Sequence, residues 1–134
     1  MPLLLTAAAL SAPVLLNSGY VLAGAGLRIF FAAACHQDPA RSFALFGLPL
    51  AVCARCLGIY GGAVTGFLLR AQRRTAVQAL VWLGLINLGS VVAEMAGIPV
   101  SNTARFVMGC GLGVAASGLL SLEPRIPSSI SDQA

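Results

Sequence analysis

Residues 49–70 read PLAVCARCLGIYGGAVTGFLLR. From Pro49 to Leu69 the stretch carries one charge, Arg55, before Arg70 closes it. A bilayer core about 30 Å thick needs about 20 apolar residues of helix. The stretch therefore predicts a membrane span that starts at Pro49, a residue suited to a first helical turn. Two further patterns lie on it. Cys53 and Cys56 are three apart and share a helix face, which Tyr60 extends. Gly58, Gly62 and Gly66 recur every fourth residue, a ridge that lets another helix backbone approach closely in lipid.

The rest of the chain fits the same class. Hydrophobic residues make up 58% of the 134 positions and charged residues 9%, with a mean hydropathy of +0.91. A soluble domain carries roughly a quarter charged residues. A soluble fold, intrinsic disorder, collagen and coiled coil are excluded on these numbers. The expectation is an all-α integral membrane bundle of four transmembrane helices, forming one domain over residues 1–123. The first lies within residues 2–27, uncharged and interrupted by Pro13 and by Asn17-Ser18-Gly19. It is kinked or split there, and residues 29–34 continue apolar after Arg28. The second span covers residues 49–69, the third 75–96 and the fourth 103–122. The N-terminal run has no basic flank of a signal peptide and is expected to be retained. The tail PRIPSSISDQA, residues 124–134, reads as polar and disordered.

Alternation of four spans brings the chemically capable residues to one membrane surface. Cys35, His36, Asp38, Arg41, Cys53, Arg55, Cys56, Glu94, Asn102 and Arg105 all fall at that end. The eight cations are all arginine and the net charge is +4. They are scattered between apolar runs, so they read as membrane-edge residues and no nucleic-acid partner is expected. Arginine counts on the two faces are equal. The short loop with Arg70, Arg73 and Arg74 then decides the orientation by the positive-inside rule. This gives a multi-pass cell-membrane protein with cytoplasmic termini and an extracytoplasmic cysteine face.

Cys35, His36, Cys53 and Cys56 offer three thiolates and an imidazole, a donor set that tetrahedral zinc accepts. Side chains of neighbouring residues diverge, so Cys35 and His36 are an unusual ligand pair. The same cysteines also suit thiol–disulfide exchange, with Cys53 and Cys56 as the working pair and Cys35 as partner. A non-catalytic structural or lipid-interacting protein with inert thiols is the third reading. Leu57 follows Cys56, so the haem-attachment pattern is absent. Cys110 reads as a small buried hydrophobe.

The remaining polar residues group around these cysteines. Glu94 and Arg105 flank a short turn and are expected to pair, because a lone charge near the bilayer is costly. Asn87, Ser90 and Glu94 form one polar stripe facing the bundle interior. Arg41, Arg55 and Arg105, with Asn102 nearby, suit a phosphate or carboxylate, hence an anionic lipid or lipid-linked substrate. Gly109, Gly113 and Ser117 form a second small-residue ridge. The two ridges pack within the chain or form the seam of a homo-oligomer.

The segments Cys35-His36-Gln37-Asp38-Pro39-Ala40-Arg41-Ser42-Phe43 and Cys53-Ala54-Arg55-Cys56-Leu57-Gly58-Ile59-Tyr60 resemble a family of small bacterial and archaeal membrane proteins, domain of unknown function 2085. The likeness covers about residues 20–70 and extends more weakly through Asn102, Arg105, Gly109 and Gly113. It departs at Ala40, where the family favours an acid, and at Leu57, where it favours a small polar residue. An Asp-Gly expected in the third helix is replaced by Asn87, Gly89 and Ser90. The resemblance implies a multi-span membrane fold and brings no activity with it.

Overall fold

The computed structural model describes residues 2–68 and 73–120. Five α-helices dominate: α1 (Pro2–Asn17), α2 (Val21–Ala32), α3 (Ala54–Leu68), α4 (Arg73–Met95) and α5 (Asn102–Leu120). A 3₁₀ turn (Pro39–Arg41) and a two-stranded antiparallel ribbon, β1 (Ala44–Leu45) and β2 (Leu48–Pro49), lie between α2 and α3. The loop at residues 69–72 and the tail expected at 124–134 lie outside the described residues.

The interruption read near Asn17 is a full break. Gly19 takes φ +85°, a conformation in which a Cβ is strained, and the Tyr20 N–H donates to the Leu15 carbonyl at 2.9 Å. This closes α1 in a Schellman-type turn. Pro13 stays inside α1, and its ring is buried. The chain then folds back, because a Cβ on Gly24 of α2 would collide with the Leu16 side chain of α1. Ala9 and Ala12 of α1 share one buried apolar cluster with Phe31 of α2, Cys35, Leu50, Ala51, Val52 and Leu57. The start of α1, the end of α2 and the entrance of α3 thus sit at one end of the molecule. This corrects the expectation that the chain begins at the end opposite the cysteines.

At 1.5 Å per residue α1 and α2 are only about 24 and 18 Å long, short of a bilayer core of about 30 Å. Among the described residues two helices, Thr75–Met95 and Asn102–Leu120, are long and apolar enough to cross a membrane. Two spans are thus supported among the described residues, and the four that the sequence suggested are not confirmed. The apolar side chains of α4 are largely uncovered, Trp82, Leu85, Leu88 and Val92 among them. A water-soluble fold would bury such a row; a lipid-facing helix has no need to.

The second span does not begin at Pro49. Pro49 pairs with Ala44 in the ribbon, which turns through Phe46 (φ 55°) and Gly47 (φ 75°). Two successive positive φ values are the signature of a two-residue type I′ hairpin turn. The helix starts five residues later, at Ala54, and the Cys53 carbonyl accepts the Leu57 N–H at 3.0 Å. Cys53 is thereby the N-cap of α3 and stands before its first turn.

Both glycine ridges are used inside one chain. A Cβ at Gly58 would strike the Phe106 carbonyl, at Gly62 the Cys110 carbonyl, and at Gly113 the Ile59 carbonyl. Gly109 is closed in the same way by Arg55, and Gly66 by Ser117. The α3–α5 seam therefore consumes the surface that the sequence left open to an oligomer. Replacing Gly62 by Leu should lower stability by about 3 kcal/mol or more, since backbone and not a movable side chain blocks the space. Gly61→Ala meets nothing within 4 Å and should leave the unfolding midpoint in detergent unchanged or slightly raised. Equal midpoints for the two variants would contradict this packing.

Candidate metal centre and arginine cluster

Three sulfur atoms meet at the entrance of α3. The Sγ atoms of Cys35, Cys53 and Cys56 all lie within 4.8 Å of one another, and all are free thiols. The end of α2 and the entrance of α3 deliver them. Cys35 follows the last turn of α2, its N–H bonded to the Phe31 carbonyl at 2.9 Å. Cys53 caps α3, and Cys56 lies in its first turn. The backbone N–H of Cys53 donates to Cys35 Sγ at 3.1 Å, which locks the two segments together. Phe31, Leu50, Val52 and Leu57 form an apolar wall around the group, and Tyr60 stands one turn further along α3.

Capping chemistry favours a thiolate at Cys53. The neighbouring Cys56 thiol and the N–H groups of Cys56 and Arg55 favour the charged form of Cys53. Burial opposes these donors, but together they lower the Cys53 pKa to about 5. The helix dipole acts in the same sense. A free N-terminal turn thus finds its acceptor in sulfur, where serine or aspartate is usual.

His36 does not join the sulfurs. It is exposed, and its ring nitrogens are not among the ligand atoms gathered within 4.8 Å. The reason is local. Cys35 points into the core, the next side chain points out, and Gln37 (φ 52°) then turns the chain so that its Nε2 donates to the Arg28 carbonyl. Cys110 lies along the α3–α5 seam, outside the sulfur group.

Beside the sulfurs the sequence places Arg55 between Cys53 and Cys56, and its side chain reaches the other way. Arg55 Nη2 donates to Ser90 Oγ at 2.9 Å and to Glu94 Oε1 at 3.1 Å. Arg105 Nε meets the same oxygen at 3.0 Å, the ion pair that the sequence suggested. Arg41 Nη1 lies 3.2 Å from Glu94 Oε2. One carboxylate, 6% exposed, thus holds three guanidiniums from the loop, α3 and α5. Asn102 completes the frame: its Oδ1 accepts from Arg105 at 2.7 Å and its Nδ2 donates to the Ser42 carbonyl at 3.3 Å. The stripe faces inward as expected, with Asn87 Nδ2 reaching the Met108 carbonyl of α5 at 3.3 Å.

Sequence reasoning missed the part played by Asp38. Its Oδ1 accepts the Ala40 N–H at 3.0 Å and caps the 3₁₀ turn, while Oδ2 lies 3.3 Å from Arg41 Nε. Asp38-Pro39 is an N-cap followed by proline, a legible helix-start signal. Ser90, the second acceptor for Arg55, stood in the polar stripe but was not assigned a partner.

Glu94→Ala should be strongly destabilising, by about 3 kcal/mol, because it leaves two largely buried guanidiniums unpaired. Arg41→Gln should cost less than about 1 kcal/mol, because Arg41 is half exposed. Chemical unfolding in micelles checks both. A Glu94→Ala protein as stable as the parent would refute the hub.

Comparison with known proteins places the chain in a family. A family described as predicted membrane protein (DUF2085) matches residues 35–119, which run from the first cysteine to the end of α5. An uncharacterised protein of Methanocaldococcus jannaschii is 57% identical over 35 residues, 26% of this chain and 22% of its own length. An uncharacterised protein of Methanothermobacter thermautotrophicus is 44% identical over 55 residues, 39% of this chain and 50% of that protein. The chain thus matches at most half the length of these relatives. No solved structure matches it. With more than half of its length covered by the family's pattern, including all three clustered cysteines and the Glu94 hub, the chain belongs to the DUF2085 family of membrane proteins.

Proposed function

We propose that this membrane protein binds zinc through Cys35, Cys53 and Cys56. One observation carries the reading: three sulfurs, one after α2 and two at the entrance of α3, converge within 4.8 Å inside an apolar wall. Three thiolates are a donor set for zinc, at about 2.3 Å from each sulfur. A structural site is closed by four protein ligands, whereas three leave a position for water or another ligand. His36 is exposed at the rim, and it takes that position only if the loop after Cys35 moves.

In the membrane, α4 and α5 cross, α3 packs along α5, and α1 and α2 form a hairpin that enters and returns. Arg70, with Arg73 and Arg74 at the start of α4, supports a cytoplasmic position for the opposite end and an extracytoplasmic one for the sulfurs.

A second reading is supported by the lowered pKa of Cys53 beside the Cys56 thiol: a membrane thiol–disulfide pair with Cys35 as partner. One preparation separates the two. Protein purified without oxygen should hold about one zinc per chain by elemental analysis. Cys35→Ser, Cys53→Ser and Cys56→Ser should each lose it, while Cys110→Ser keeps it. Absence of metal together with a reducible Cys53–Cys56 bond would overturn the zinc reading in favour of exchange.

A further inference from the structure

Independently of the metal, we propose that Arg41, Arg55 and Arg105 form a binding site for a phosphate group at the membrane surface, with Arg41 as its outer arm. The cluster has more positive charge than its own acids can neutralise. Glu94 serves all three guanidiniums and Asp38 touches Arg41 alone, so three positive charges less two negative leave an excess of one. At the edge of a bilayer such an excess is costly, and a bound anion relieves it.

The donors agree with the charge. Arg55 Nε is buried and has no hydrogen-bond acceptor among the described residues. Arg105 spends Nε on Glu94 and Nη1 on Asn102, and Arg41 spends Nε on Asp38 and Nη1 on Glu94. The remaining Nη2 groups of Arg41 and Arg105 have no protein acceptor among the described residues. Guanidinium forks match phosphate oxygens in pairs, a geometry that lysine cannot offer.

Exposure sets the direction of entry. The side chains are 11% exposed at Arg105, 22% at Arg55 and 51% at Arg41, so the array opens outward through Arg41. Glu94 holds the two deeper arginines in largely buried pairs, whereas the half-exposed Arg41 can exchange its acidic partners for a ligand. Asp38 competes for that outer arm.

Two sources supply a phosphate here, a lipid headgroup and the free ion. The test uses native mass spectrometry of the full chain in detergent with phosphatidic acid or phosphatidylcholine, and calorimetry with inorganic phosphate. The unmodified protein should bind phosphatidic acid, inorganic phosphate or both, in preference to phosphatidylcholine. Arg41→Gln should weaken that binding about tenfold, the loss of one charge-assisted contact. Asp38→Asn, which keeps the cap oxygen and releases Arg41, should tighten it. Binding of phosphatidic acid alone assigns the site to a headgroup; binding of both probes assigns it to the oxyanion itself. Failure of both probes to bind, or equal affinity in all three proteins, overturns the proposal. Zinc per chain, measured on the same samples, should not change with Arg41→Gln, so the two readings fail separately.

Discussion

A carboxylate that sits almost out of reach of water holds the polar end of this bundle together. Glu94 is the only acid within α4, and it meets guanidiniums contributed by the 38–42 loop, by α3 and by α5. Removing any of these charges from water is expensive, and the expense is offset only if each finds a partner in fixed geometry. That requirement sets the relative positions of four segments. The cysteine-bearing start of α3 is one of them, so the sulfur group inherits its rigidity from an ion cluster on the other side of the same helical turn.

A second constraint works from below. In lipid, apolar side chains gain nothing by meeting each other instead of acyl chains, so helices associate through close packing. The α3–α5 seam achieves this with glycines on both sides, each facing a carbonyl or Cα of the other helix. The closeness of the seam lets Arg55 and Arg105 converge on one carboxylate oxygen. It also leaves α4 free to present bulky side chains outward. The α1–α2 hairpin covers the third side and places Phe31 and Cys35 against the entrance of α3.

Much of this was written in residue spacing. The CxxC, the two four-residue ridges and the polar stripe of α4 follow from helical periodicity, which survives whatever packs around it, and the Glu94–Arg105 pair follows from the short turn between their helices. What failed depended on local backbone conformation. Pro49 reads equally well as a first helical residue or as the end of a strand, and the Phe46-Gly47 turn chose the strand. The break at Gly19 was legible as an interruption, but nothing in the apolar residues 2–34 says whether the chain continues or doubles back. That choice is made by Gly24 and Ala12, whose small size is a signal only once their partners are known. His36 shows the same limit. Composition counts it as a ligand, whereas the direction of a side chain next to Cys35 is fixed by the turn at Gln37.

The sulfur group joins these threads, because it forms only if hairpin, ribbon and helix entrance are all placed correctly. X-ray absorption at the zinc edge, on protein purified without oxygen, interrogates it directly. The expected spectrum has three sulfur neighbours at about 2.3 Å and one lighter atom. A protein that carries no zinc, or zinc surrounded only by nitrogen and oxygen, would contradict the account.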